Sequence, residues 1–177
     1  MSLLLGLALS SAPALAHDTY HGTNNIHGVR FDIHGDIDGY GMFGVGGRVE
    51  FAIVPDGFLR GGTVYDELAL SFGADVLFSG APLWAGSYYD GGTYVVPVGA
   101  VQWNVYLGHH WSVFPEVGVA LHVGLAGDGW YDRYGNNYGW IYAQPHAGIG
   151  ARLHVNSRVA LLFRVSTPTG LQFGVVF

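Results

Sequence analysis

The chain has 177 residues, half of them apolar, with 29 glycines, no cysteine and a formal net charge of −6. That length suits one domain, the acidic balance argues against a nucleic-acid partner, and the lack of cysteine excludes a disulfide framework and any thiolate metal or redox site. All seven basic side chains are arginine, whereas a water-facing surface normally carries lysine freely. No run of about 18 apolar residues is present from which to build a membrane-spanning helix. Residues 1–16 read as a secretory signal: Leu3 to Leu9 is a short apolar core and Ala14-Leu15-Ala16 a small-x-small cleavage site, although no Lys or Arg follows Met1. Residues 17–27 are polar and rich in histidine and asparagine, with no strand pattern.

From residue 28 onward, alternation of apolar and polar residues predicts eight β-strands. The first covers 28–37, with Arg30, Asp32, His34 and Asp36 opposite Phe31, Ile33 and Ile37, and the turn signal Asp38-Gly39-Tyr40-Gly41 ends it. The second covers 42–53, with Arg48 and Glu50 opposite Val49 and Phe51, and Pro55-Asp56-Gly57 breaks it. The third, 66–78, places Glu67, Ser71 and Asp75 opposite Leu68, Leu70 and Phe72. The fourth, 93–107, sets Gln102 and Asn104 against Val101 and Trp103; the fifth, 112–125, sets Glu116 and His122 against Val117 and Leu121. The sixth, 139–155, sets His146, Arg152 and His154 against Ile149 and Leu153. A closing hairpin over 158–177 supplies the last two, with Val159, Leu161, Phe163 and Val165 on one face and Leu171, Phe173, Val175 and Phe177 on the next.

Three features favour a barrel in a membrane. Every charged residue in these strands falls on the polar parity, whereas a soluble barrel wants its apolar side chains inside and tolerates charge outside. Most strands reach the roughly 9–11 residues that a tilted spanning strand needs. Long connections after the third and fifth strands alternate with very short ones after the fourth and sixth, as in outer-membrane barrels. The connection between the second and third strands breaks that rule, and Pro97, Pro115 and Pro145 fall inside strands of a sheet that has no free edge.

On this pattern, and on the terminal Leu171, Phe173, Val175, Phe177 alternation, the chain resembles the small eight-stranded outer-membrane β-barrel family, the OmpA/OmpX-like class. The resemblance implies an all-β, eight-stranded antiparallel up-and-down transmembrane barrel over residues 28–177, located in the bacterial outer membrane with its lipid as partner. It also implies that those four terminal residues are the signal read by the barrel-assembly machinery, and that no periplasmic domain follows.

On the polar parity, Arg30, Arg48, Arg152 and Arg164 would share the lumen with Asp32, Asp36, Glu50, Glu67, Asp75 and Glu116. Eight strands leave room only for side chains, so these groups are expected to form a paired ionic plug; the other reading of the same groups is a narrow gated pore for ions or small solutes. His34, His122, His146 and His154 share that parity and are expected to be satisfied by carboxylates rather than to bind metal. Cleavage after Ala16 would free an amino-terminal His17, with His21 and His27 nearby, as a copper chelate. No metal site or cofactor is expected. A lipid A-modifying enzyme is a further alternative, for which the Ser71, Asp75 and His146 grouping has no supporting spacing motif. Trp84, Tyr88, Tyr89, Trp130, Tyr131 and Tyr134 fall in the two long loops and could contact an unknown surface partner, while Tyr94, Trp140 and Tyr142 at strand ends read as an interfacial aromatic girdle. The function expected is therefore structural, or contact through the outer loops, and not enzymatic.

Overall fold

A computed structural model describes residues 28–38, 42–59, 64–79, 92–108, 110–126 and 141–177. Among these residues there are eight strands and no helix. They are β1 (Val29–Ile37), β2 (Met42–Val54), β3 (Val64–Ser79), β4 (Thr93–Leu107), β5 (Trp111–Ala126), β6 (Ile141–Asn156), β7 (Val159–Thr167) and β8 (Gly170–Val176). Each pairs antiparallel with its neighbour in sequence, and β8 pairs back with β1 to close a barrel. Phe177 completes the seam: its backbone N–H donates to Phe31 and its carbonyl accepts from Phe31, at 2.9 and 2.8 Å. The expected leader, residues 1–16, and the polar segment 17–27 lie outside the described residues.

The alternation of the sequence becomes the two walls of the barrel. In β1 and β7 every second residue is buried and its neighbours are exposed or half-buried. The buried set points into the barrel and carries Arg30, Asp32, His34 and Asp36 from β1 alone. Phe31, Ile33, Val45, Phe72, Val119, Ile149, Phe163 and Phe173 are among the large apolar residues exposed on the outer wall.

The three prolines fit because the hydrogen-bond ladder is interrupted beside them. Pro97 and Pro115 pair with Ala74 and Ile149 on one side, but neither pairs across the β4–β5 ladder. Pro145 pairs with Val119, and the ladder between β6 and β7 begins only at Ala147. A residue without an N–H loses least at such positions.

Two expectations need correction. Asp66 is charged and lies on the outer parity of β3, with Leu68 and Leu70, so the outer wall is not free of charge. It is tolerated because the chain after β2 folds back over it. The Asp66 carboxylate accepts the backbone N–H of Phe58 (3.0 Å) and of Leu59 (2.8 Å) and the indole N–H of Trp103 (2.6 Å), and its side chain is buried. Gly57, with φ +52°, allows the turn, and a side chain there would overlap Asp66. The same loop is tied by the Tyr65 hydroxyl, which donates to the Pro55 carbonyl. This accounts for the long connection between β2 and β3: it is a cap against the outer wall. The second correction concerns Tyr94 and Tyr142. Tyr94 is buried inside the barrel, and Tyr142 packs against the same interior cluster. Neither belongs to an outer girdle; Trp140 lies outside the described residues.

Candidate functional site

The barrel interior is the only place where the described residues gather charge, and it is arranged in layers. Toward the end that carries Gly28 and Phe177, Glu50 on β2 is a hub. It accepts from Arg30 Nε at 2.9 Å, from Arg152 Nη2 at 2.5 Å and from Gln102 Nε2 at 3.3 Å. Arg30 also pairs with Glu67 and donates to the Tyr106 hydroxyl at 2.8 Å. Arg152 donates to Asn104 Oδ1 at 2.7 Å and lies over the Phe114 ring, 4.2 Å from its centroid. Phe114 packs with Ala160, Leu162 and Val176 in an apolar cluster, and Gly150 faces the Phe114 ring where a Cβ would collide with it.

A second hub is Glu116 on β5, which accepts from Arg48 Nη1 at 3.2 Å and contacts His146 Nε2 at 2.8 Å and Arg164 Nε at 3.4 Å. Arg164 donates onward to Gln172 Oε1 at 2.9 Å and Asp32 Oδ2 at 3.4 Å. A third group surrounds His34, whose Nδ1 lies 2.5 Å from Asp32 Oδ1 and whose Nε2 lies 2.8 Å from Asp75 Oδ1. Asp36 accepts from Gln172 Nε2 at 2.6 Å. All ten lumen residues expected from the sequence are thus buried inside the barrel and joined by hydrogen bonds or ion pairs. Burial of charge at this density is sustainable only when partners replace the lost water.

Beyond the ionic layers, toward the long loops, the interior turns apolar. Met42, Leu77, Tyr94, Val96, Val98 and Ala120 form one buried cluster, with Tyr142 packed against it. The expected ionic plug did not include this cluster. In β4 the stretch Tyr94–Val98 is apolar on both parities, so alternation carries no signal there.

Of the four inward histidines, His34 and His146 contact carboxylates, as expected. His154 Nε2 instead meets the Ser112 hydroxyl at 2.9 Å, and His122 stacks on Tyr142 with ring centroids 4.5 Å apart. They share no common centre. Ser71 Oγ is buried with no hydrogen-bond partner among the described residues, so the imagined Ser71–His146 pair does not form. Leu171, Phe173, Val175 and Phe177 all point outward and are exposed, and Phe173 packs edge-on against Phe163 at 5.7 Å. Trp84, Tyr88, Tyr89, Trp130, Tyr131 and Tyr134 lie outside the described residues.

No protein-family model matches the chain, and no curated protein matches it.

Proposed function

We propose that this barrel spans a bacterial outer membrane and serves a structural or surface-contact role rather than conducting solutes. The observation that carries this reading is the inverted partition of its side chains: ion pairs inside, exposed Phe, Ile, Val and Leu outside. Soluble monomers rarely expose apolar side chains on this scale, and such a surface marks contact with a membrane or a partner. Aromatic residues near both rims, Phe43 against Phe78 at the loop end and Trp103 with Trp111 at the other, suit the two membrane interfaces. Asp66, the outward-parity charge among the described strand residues, is buried under its capping loop beside Trp103, toward the rim of the wall. In this orientation Gly28 and Phe177 lie at the periplasmic end and the ends of β3 and β5, Ser79 and Ala126, at the outer one.

The plugged reading is supported by two barriers in series. The ionic layers bridge the bore from β2 to β6 through Glu50 and Arg152 and from β2 to β5 through Arg48 and Glu116, and the apolar Met42–Leu77–Tyr94–Val96 cluster lies beyond them. The barrel-assembly machinery, meeting the outward row of β8, and a surface partner at the aromatic loops are the protein contacts this role requires. No enzymatic step is assigned. Planar-bilayer recording of the folded protein tests the role: a silent bilayer is expected, and steady single-channel steps would establish the narrow pore instead.

A further inference from the structure

We infer that His34, Asp36 and Asp75 form a binding site for one divalent transition-metal ion of the zinc class inside the barrel. One ligand atom from each residue lies within 4.8 Å of the others, and all three side chains are buried. The strand register explains how they meet. His34 pairs with Gly46, and Gly46 with Asp75, so β1 and β3 face each other across one glycine of β2. A Cβ on Gly46 would overlap both Asp75 Oδ1 and His34 Nε2. The glycine is what leaves room for the two side chains to converge.

Charge and hydrogen bonding both leave this group incomplete. The inward faces of the strands carry four arginines, Arg30, Arg48, Arg152 and Arg164, against six carboxylates, Asp32, Asp36, Glu50, Glu67, Asp75 and Glu116. Two negative charges are in excess before the histidines are counted, and the shortfall is local. The arginines concentrate on Glu50, Glu67 and Glu116, while Asp75 has Arg48 only at 3.8 Å and Asp36 has no arginine partner among the described residues. Asp36 and Asp75 are 2 % and 0 % exposed, yet Oδ2 of each has no hydrogen-bond partner. A buried carboxylate oxygen with nothing to accept is costly and rare.

The histidine points the same way. Both of its ring nitrogens face carboxylate oxygens, but a neutral imidazole has one N–H. With that proton donated from Nδ1 to Asp32, the Nε2 lone pair is directed into the Asp36–Asp75 group. A carboxylate behind one ring nitrogen and a cation on the other is the usual support of a metal-bound histidine. One imidazole with two carboxylates is a mixed nitrogen and oxygen set, which suits zinc-class ions rather than magnesium or calcium, with solvent completing the shell. The competing occupant is a second proton on His34.

The test uses the full chain, refolded in detergent micelles, stripped with chelator and shown to be folded by heat-modifiable migration. Zinc titration by calorimetry, with metal analysis after desalting, is expected to give one tightly held equivalent. Asp36→Asn and Asp75→Asn should each weaken it at least tenfold, whereas substituting His17, His21 and His27 together by Ala should leave it in place. Failure of the folded wild type to retain zinc, or retention unaffected by either Asn variant, overturns the site and leaves the second proton as the occupant. Should the Asn variants not fold, zinc-edge X-ray absorption on the wild type decides: a single-imidazole, oxygen-rich shell supports the site, and a multi-histidine shell overturns it.

Discussion

Phe31 and Asp32 are neighbours in the chain and occupy opposite environments: one is exposed on the outer wall and the other is buried in an ion-paired interior. The same contrast repeats at Phe51 and Glu50, at Val117 and Glu116, and at Phe163 and Arg164. The two walls therefore follow different rules. The interior is held by specific pairing, so that each group depends on named partners. Asp66 and its cap aside, the outer wall carries no such ionic pairing among the described residues, and its composition makes sense through the medium around it. Perturbations of the two walls should differ in kind.

The largest effect is expected inside. Glu50→Gln leaves Arg30 and Arg152 without their shared carboxylate, and breaking a buried ion pair from one side costs about 3–5 kcal/mol. Urea unfolding of the micelle-bound barrel should show the midpoint fall accordingly, and a midpoint unchanged within error would mean that water reaches the hub. Leu77→Ala opens a cavity in the apolar cluster and should cost about 2–5 kcal/mol. If that cluster is a barrier to ions, the variant should also raise bilayer leakage above wild type.

The outer wall gives the sharper contrast. Ile149→Arg places a charge on an exposed apolar position. In lipid it should cost about 2–4 kcal/mol near the midplane, whereas on a water-facing surface it would stay within about 0.5 kcal/mol. Folding equilibrium in lipid vesicles separates the two. The smallest effect is expected at the one place where the rule of the outer wall is broken. Asp66→Ala removes the acceptor for Phe58, Leu59 and Trp103 and should cost about 1–3 kcal/mol, with a shift in tryptophan emission as the indole N–H is released.

Strand number, order and the ionic interior were legible in the sequence because period-two alternation is a local signal and charge is a reliable marker of one parity. It failed where the alternation itself lapses. Tyr94–Val98 is apolar on both faces, so nothing marked Tyr94, Val96 and Val98 as inward. Asp66 was misread because its partners, Phe58 and Leu59, lie in a connection whose path is set by tertiary contact. The His34 and Asp36 pair is visible as two residues apart on one strand face. Asp75 joins them only through register, and the one trace of that in the sequence is Gly46, a missing side chain on the inward parity of β2.

The central claim is that the outer wall meets lipid while the inner wall is sealed within protein. The chain contains no cysteine, so a single introduced thiol can carry a nitroxide without a background. Val119 is 56 % exposed on the outer wall, and the adjacent Ala120 is fully buried in the apolar cluster. With Val119→Cys labelled and the barrel reconstituted in vesicles, the account predicts strong relaxation by lipid-dissolved oxygen and almost none by a water-soluble nickel complex. Strong relaxation by the nickel complex at Val119 would contradict it.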